Sequence, residues 1–146
     1  MSFYKLSNLK YPWKKYVSTN KDTLLYISGN NKKGDIDYLL SIGNNYKKIK
    51  NWVSNAQTHF GFIIINKEYI YIATDRIASY PIYLCNFNQS IIGISSFSSY
   101  WINSEFKLDI DFENVFLYQM AGYTFGRKTL RKSVMRVLPG EICCIR

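Results

Sequence analysis

The 146-residue sequence is poor in the residues that hold metals or disulfide frameworks. It has one histidine, His59, and three cysteines, Cys85, Cys143 and Cys144. These residues do not supply the four ligands of a structural zinc site. Cys143 and Cys144 are adjacent and would point to opposite faces of a strand, which suits neither a disulfide between them nor a shared metal. We therefore expect no metal and no cofactor.

Long hydrophobic runs are absent as well. The longest, Phe60–Ile65, has the length of a strand, whereas a membrane-spanning helix needs about 20 apolar residues. The N-terminus lacks the apolar segment and small-residue cleavage site of a signal peptide. These absences predict a soluble, cytoplasmic protein without a membrane partner. A hydrophobic content of 47% argues against disorder and favours one domain over residues 1–146.

The net charge of +9 is unevenly distributed along the chain. Residues 1–60 contain ten Lys and Arg against three Asp and Glu, residues 61–126 contain three against six, and residues 127–146 contain six against one. Basic patches bind nucleic acids or acidic partners. Because no nucleic-acid motif accompanies the charge, and charge alone gives only non-specific binding, a module for RNA or another polyanion is an alternative interpretation.

Apolar periodicity predicts two helices in the first part of the chain. Spacings of three and four residues indicate helices over residues 35–42 and 46–53, after a short strand over residues 23–27. Asp35 is the predicted N-cap of the first helix. Residues 43–45 are predicted to end that helix in the left-handed conformation.

From His59 onward the periodicity is that of strands. Predicted strands cover residues 59–65, 69–74, 81–85, 90–95 and 141–145. After the fourth strand, Asp111 is the predicted N-cap of a helix with an apolar face that ends at Gly122. A consecutive antiparallel block with helices on either side indicates the α+β class rather than a doubly wound sheet.

Short motifs occur in a fixed order from residue 60 to the end of the sequence. Their residues are Gly61, Asp75, Arg76, Pro81, Ser95, Ser96, Gly122, Pro139 and Gly140. The order resembles the latter part of the glutaminase domain of the asparagine synthetase family, which runs G-x-F-A-F, R-D-R-x-G-x-x-P-L-Y, S-S-E, G-Y-x-x-x-x-x-T-L and L-P-G. Residues 59–146 are therefore the family-like part, and residues 1–58 are divergent.

The resemblance implies a class II glutamine amidotransferase domain with the N-terminal-nucleophile hydrolase fold, a four-layer αββα sandwich of two antiparallel sheets. In that family, an N-terminal cysteine releases ammonia from glutamine, and a separate ATP-dependent synthetase domain uses the ammonia. This chain begins Met1-Ser2-Phe3 instead. It also lacks the N-G-E stretch that stabilises the oxyanion, and it has no arginine before Arg76 to hold the glutamine carboxylate.

Two residues remain as candidates for the family's chemistry. Ser2 is the only candidate nucleophile, with its own amine as base after removal of Met1. However, a hydroxyl is a weaker nucleophile than a thiol, and losing one oxyanion donor costs about 2.7–4 kcal/mol. Asp35 lies in Gly34-Asp35-Ile36-Asp37, which resembles the S/G-D-x-E motif whose aspartate holds the substrate ammonium. An N-cap explains Asp35 equally well.

We therefore expect a degenerate, non-catalytic glutaminase-like domain. It would be a structural or docking module of an asparagine-synthetase-type, ATP-dependent amide-forming ligase. Its partner would be a synthetase domain or subunit, because the sequence lacks that domain's S-G-G-x-D-S pyrophosphate loop. An active amidohydrolase that uses Ser2 is the alternative, and self-association stays open.

Other reactive side chains are expected to be structural. Asp75 and Arg76 would brace a turn at the end of the sheet through an ion pair or backbone capping. His59 has no partner that the sequence identifies. Cys85 is predicted to be a small core residue.

Overall fold

The computed structural model describes residues 5–7, 9, 12–87, 90–96 and 109–146. These residues form two sheets and three helices, so the prediction of the α+β class is confirmed. The elements in chain order are β1 (Lys5–Ser7), β2 (Lys14–Val17), β3 (Leu24–Gly29), α1 (Lys33–Ser41), α2 (Tyr46–Asn55), β4 (Phe60–Ile65), β5 (Ile70–Thr74), β6 (Tyr83–Phe87), β7 (Ser90–Ser95), α3 (Phe112–Ala121), β8 (Val134–Arg136) and β9 (Ile142–Ile145).

The chain divides into two compact units. The first comprises residues 9–80 and 139–146, and the second comprises β1 and residues 81–138. One domain can contain two such units, so the single-domain interpretation stays a prediction. No helix in the described ranges is long and apolar enough to cross a membrane.

The first unit is built on a five-stranded antiparallel sheet with the order β2-β3-β4-β5-β9. Strands β4 and β5 pair as the predicted hairpin, because Asn66 closes the turn between them by accepting from the amides of Glu68 and Tyr69. Strand β9 returns from the end of the sequence to pair with β5. The edges of the described sheet are therefore β2 and β9.

The core of this unit lies between the sheet and helices α1 and α2. Its buried residues alternate along the strands and recur at helical spacing: Leu25, Ile27, Ile36, Leu39, Ile42, Ile49, Val53, Phe60, Phe62, Ile64, Tyr71 and Ala73. Trp52 of α2 adds edge-to-face contacts, with its ring centroid 4.9 Å from Phe60 and 5.9 Å from Phe62. Each fully buried large apolar side chain contributes about 1.5–3 kcal/mol, so this layer stabilises the unit.

Helix α1 begins earlier than predicted. Its N-cap is Lys32, and Asp35 lies within the first turn. The prediction of Asp35 as N-cap is therefore wrong. The Asp35 carboxylate instead accepts a hydrogen bond from the backbone amide of Lys32 at 3.2 Å, which is the reciprocal half of a capping box.

The end of α1 also differs from the prediction. None of residues 43–45 is in the left-handed conformation. Gly43 is needed for space, because a Cβ atom there would lie 2.5 Å from Cγ2 of Thr23. Asn45 starts α2 as its N-cap, accepting from the amide of Lys48 at 3.1 Å.

The second unit contains a four-stranded sheet with the order β1-β7-β6-β8. Strands β7, β6 and β8 are antiparallel neighbours, and β1 runs parallel to β7. Strand β7 has the predicted bounds, whereas β6 begins two residues later than predicted. Helix α3 matches its prediction: Asp111 accepts from the amide of Asn114 at 3.1 Å, and Gly122 ends the helix at φ 78°.

The cysteines lie in separate surroundings. Cys85 is fully buried, as predicted, and desolvation raises the pKa of its thiol to about 11. Cys143 is partly buried and Cys144 is exposed, and the three cysteines, all within the described residues, form no disulfide. Among the described residues, no group of three metal-ligating side chains is close enough to hold an ion.

Candidate functional site

Of the two residues predicted for family chemistry, the structure describes one. Ser2 lies outside the described residues. Asp35 is in the first turn of α1, where its carboxylate bonds to the backbone of the same helix. Asp35 therefore serves the start of its own helix from the N3 position, not from the predicted N-cap position.

The motif residue Asp75 organises the turn that follows β5. One carboxylate oxygen accepts from the amides of Ile77 and Ser79, at 2.9 and 3.2 Å, and the other accepts from the amide of Phe60 at 2.8 Å. Burial by itself would raise the pKa of Asp75, but these hydrogen bonds outweigh burial and lower the pKa below its ordinary value. The predicted backbone-capping role is confirmed. We call residues 75–80 the Asp75 turn.

Arg76 makes the second of the two predicted kinds of contact, a hydrogen bond to the backbone. Its Nη2 donates to the carbonyl of Ser54 at 2.9 Å, in the last turn of α2. The positive charge therefore lies at the negative end of the helix dipole. This contact joins α2 to the Asp75 turn.

His59 has a neighbour that sequence reasoning missed. Its Nδ1 lies 2.8 Å from the Ser79 hydroxyl and 3.9 Å from Oδ2 of Asp75. Both neighbours approach the same ring nitrogen, whereas a catalytic triad uses the two ring nitrogens for different partners. The cluster therefore joins the start of β4 to the Asp75 turn and has no relay geometry.

Ala78 is the one strained residue of this turn. Its φ of 51° is in the left-handed region, which costs a residue with a Cβ atom about 1–2 kcal/mol. Its amide donates to the carbonyl of Asp75 at 3.0 Å, so the turn holds it there.

Two motif positions in the same unit require glycine, one for close packing and one for a left-handed backbone conformation. A Cβ atom on Gly61 would lie 2.8 Å from the carbonyl oxygen of Tyr80 and 3.1 Å from the Trp13 ring. Gly140 follows Pro139 in the predicted turn, at φ 70°, and its amide donates to the carbonyl of Asp75 at 2.7 Å. The start of β4 and the turn before β9 are thus both held against the Asp75 turn.

The remaining motif residues lie in the second unit. Pro81 precedes Ile82, whose carbonyl accepts from the amide of Val137 at 2.9 Å. Ser95 and Ser96 are buried at the end of β7, and Gly122 is the left-handed C-cap of α3. Of these motif residues, Gly122 has a backbone role that its geometry shows.

The apolar face of α3 is the largest departure from what the sequence predicts. The exposed fractions are 74% for Phe112, 61% for Phe116 and 71% for Met120. These three residues are spaced by four, so they lie on one side of the helix, and we call them the apolar stripe. The only buried residue of α3 is Asn114. Apolar spacing predicted a face that includes Phe116 and Met120 but not Phe112, and no signal in the sequence distinguishes a covered face from an exposed one.

A basic segment runs beside the start of α3. The amide of Asp111 donates to the carbonyl of Leu130 at 3.0 Å, and Lys128 Nζ lies 3.8 Å from a carboxylate oxygen of Glu113. We call the basic residues of this segment the basic flank: Arg127, Lys128, Arg131, Lys132 and Arg136. The guanidinium of Arg136 donates to the carbonyls of Gly126 and Thr124, so part of the flank holds its own loop.

No family model and no curated protein matches this chain.

Proposed function

We propose that this chain is a degenerate, non-catalytic glutaminase-like domain that docks onto an asparagine-synthetase-type, ATP-dependent amide-forming ligase. The proposal includes the four-layer αββα sandwich of the N-terminal-nucleophile hydrolases. The observation that carries the docking role is the exposed apolar stripe on α3. A contiguous exposed apolar surface on a folded protein marks a site of association.

The duties of the motif residues support a retained glutaminase scaffold. Gly61, Asp75 and Gly140 serve backbone packing, turn capping and a left-handed turn. Ala78 occupies the glycine position of the family's R-D-R-x-G-x-x-P-L-Y motif, and its φ of 51° is a conformation that glycine adopts without strain. A left-handed residue at the family's glycine position supports the proposed resemblance.

The burial of the five-stranded sheet also supports the sandwich. Helices α1 and α2 cover one face of this sheet. Ile63 and Ile72 belong to the opposite face, and both are fully buried. A sheet buried on both faces is a requirement of the family's layered fold.

The uses of the candidate side chains support a non-catalytic role. Asp35 caps its own helix, and Asp75 already accepts three backbone hydrogen bonds. Both oxygens of Asp75 are therefore committed to the backbone of the turn, and one oxygen of Asp35 is committed to its helix. The family's oxyanion motif and carboxylate-binding arginine are missing from the sequence as well.

Charge defines the kind of surface that the stripe would meet. The basic flank lies next to α3 and includes Lys128 and Lys132, which both lower the pKa of Asp111, after the larger effect of its hydrogen bonds from Asn114. A partner with an apolar groove and an acidic rim complements this combination. A second copy of the chain would bring two net charges of +9 together, which disfavours self-association through this face.

The test is affinity purification of the tagged chain from its native host, with quantitative mass spectrometry. We expect a protein with an S-G-G-x-D-S pyrophosphate loop to co-purify in near-equal amounts. Phe116→Glu should abolish the association, because it places an unpaired charge in the partner's apolar groove. Ile77→Glu is the matched control, since Ile77 is 69% exposed in the other unit. A chain that purifies alone, or a ligase still bound to Phe116→Glu, contradicts the docking role.

Catalysis is tested separately on the purified chain. We expect no ammonia release from glutamine or from other primary amides. Mass spectrometry of the intact protein shows whether Met1 is retained, which would exclude Ser2 as a terminal nucleophile. Amide hydrolysis that Ser2→Ala abolishes would show that the domain is an enzyme.

A further inference from the structure

A small cavity in the first unit combines two positive charges with an apolar wall. It has a volume of about 340 Å³ and lies between α2 and the end of the sheet where the Asp75 turn meets β9. Its polar side chains are Tyr46, Lys50, Ser54 and Arg76, and Val53 and Ile142 supply the wall. The size is that of a site for a small ligand. The apolar stripe belongs to the other unit, so this cavity is independent of the docking role.

The polar lining is complementary to a hydrogen-bond acceptor. Lys50 and Arg76 are donors only, and the hydroxyls of Tyr46 and Ser54 can donate. Among the described residues, no carboxylate lines the cavity. A ligand group that offers only acceptors and carries negative charge matches this lining, as phosphate and carboxylate groups do.

Arg76 is already held in position for such a ligand. One of its five N–H donors bonds to the carbonyl of Ser54, and the Asp75 turn fixes its backbone. The remaining donors do not need to be ordered at the moment of binding, which lowers its entropic cost.

The positive charge of Lys50 is not required to compensate the carbonyl end of α2. Arg76 already compensates the carbonyl end of α2. Lys50 lies one turn before Ser54, and no acidic side chain in the described part of the chain forms an ion pair with it. The cavity therefore carries two cations and one helix-end carbonyl, and an excess of positive charge remains.

We infer that this cavity binds a small oxyanion, a phosphate or carboxylate group whose oxygens meet Lys50 and Arg76 while the rest of the ligand lies on Val53 and Ile142. The two groups share the chemistry that the site recognises. Inorganic phosphate has no apolar body and benzoate has one. The two probes therefore show whether binding needs contact with Val53 and Ile142.

The test is an NMR titration of the full chain, labelled with ¹⁵N, with inorganic phosphate and separately with benzoate at constant ionic strength. We expect saturable shifts confined to residues 46–54, 76 and 140–142 with at least one probe. Lys50→Gln should weaken binding about tenfold or more, the size of a lost charge-assisted hydrogen bond. Lys50→Arg should retain binding. Lys47→Gln, an exposed position on α2 outside the cavity, should change the affinity by less than about twofold.

Each outcome decides the proposal. Saturation by phosphate alone assigns the site to phosphate groups, and saturation by benzoate alone assigns it to carboxylates with an apolar body. If neither probe saturates, the site is not an oxyanion site. Equal effects of Lys47→Gln and Lys50→Gln would reduce the binding to general attraction by the basic chain. Because Lys50 is exposed, its variants should melt at the temperature of the parent chain, which circular dichroism checks.

Discussion

Helices α2 and α3 both contain ten residues, but they differ in the burial of their apolar side chains. Ile49 and Val53 of α2 are buried against the five-stranded sheet. On α3, Phe112 and Phe116 remain in solvent. Burial of Ile49 and Val53 stabilises the first unit, whereas Phe112 and Phe116 contribute little to stability until another surface covers them. The two helices thus separate residues that hold the unit together from residues available for association.

The largest expected effect is a loss of stability when a cavity is created in the core beneath α2. Phe62 stacks on Phe60, with centroids 5.7 Å apart, and contacts Trp52. Phe62→Ala should lower the free energy of unfolding by about 3–5 kcal/mol, because the neighbours cannot close the space. Urea denaturation followed by tryptophan fluorescence measures the change. A loss below about 1 kcal/mol would mean that this layer is not closely packed.

The next effect concerns the turn that supports the core. Asp75→Asn should cost about 1–3 kcal/mol at pH 7, since an amide group would replace an oxygen that accepts from the backbone. The folded-state pKa of Asp75 is lowered, so its ionisation contributes stability above its unfolded-state pKa near 4.

That contribution is lost as the pH falls through the folded-state value. The parent chain should therefore lose stability below about pH 5, and Asp75→Asn should lose less over that window. Unfolding curves between pH 7 and pH 2 test this. Parallel curves for the two proteins would show that the Asp75 hydrogen bonds contribute little.

A smaller effect of opposite sign is expected at Ala78. Ala78→Gly should stabilise the protein by about 0.5–1 kcal/mol, because glycine relieves the left-handed strain at some cost in chain entropy. Thermal melting measures the shift. Gly140→Ala, at φ 70°, provides the opposite comparison and should destabilise. Destabilisation by Ala78→Gly would contradict the strained turn.

The smallest effect is expected on the α3 side. Phe116→Ala should change the free energy of unfolding by less than about 0.5 kcal/mol, because the side chain is mostly in solvent. The same variant should bind less of an apolar dye such as ANS. A loss above about 1 kcal/mol would remove the contrast between the two helices, since it would mean that the stripe packs within the chain.

Local signals in the sequence predicted much of the fold. The β-prone runs on either side of Asn66 identify the β4–β5 hairpin, and Asp111 and Gly122 bound α3 with the residue types that caps require. Each of these signals acts within a few residues. Asp35 shows the limit of such reasoning, because a carboxylate satisfies a helix start equally well from inside the first turn.

Contacts between distant residues could not be predicted in this way. Ser79 lies 20 residues after His59, and Arg76 lies 22 after Ser54, so only the folded sheet brings each pair together. The exposure of the stripe could not be predicted either, since apolar spacing defines a helix face but does not show whether another element covers it. The cavity lined by Lys50 and Arg76 depends on the same kind of long-range contact. Counting charges along the chain therefore did not reveal it.

The position of β9 has a consequence for synthesis on the ribosome. The first unit takes its other strands from residues 14–74, but its sheet acquires its last pairing only when residues 142–145 emerge. Until then the outer backbone groups of β5 have no partner strand on that side, and a nascent chain with such an edge is prone to pairing with other chains. Residues 81–138 of the second unit are therefore translated before the first unit can close, and slow elongation over these residues should favour aggregation.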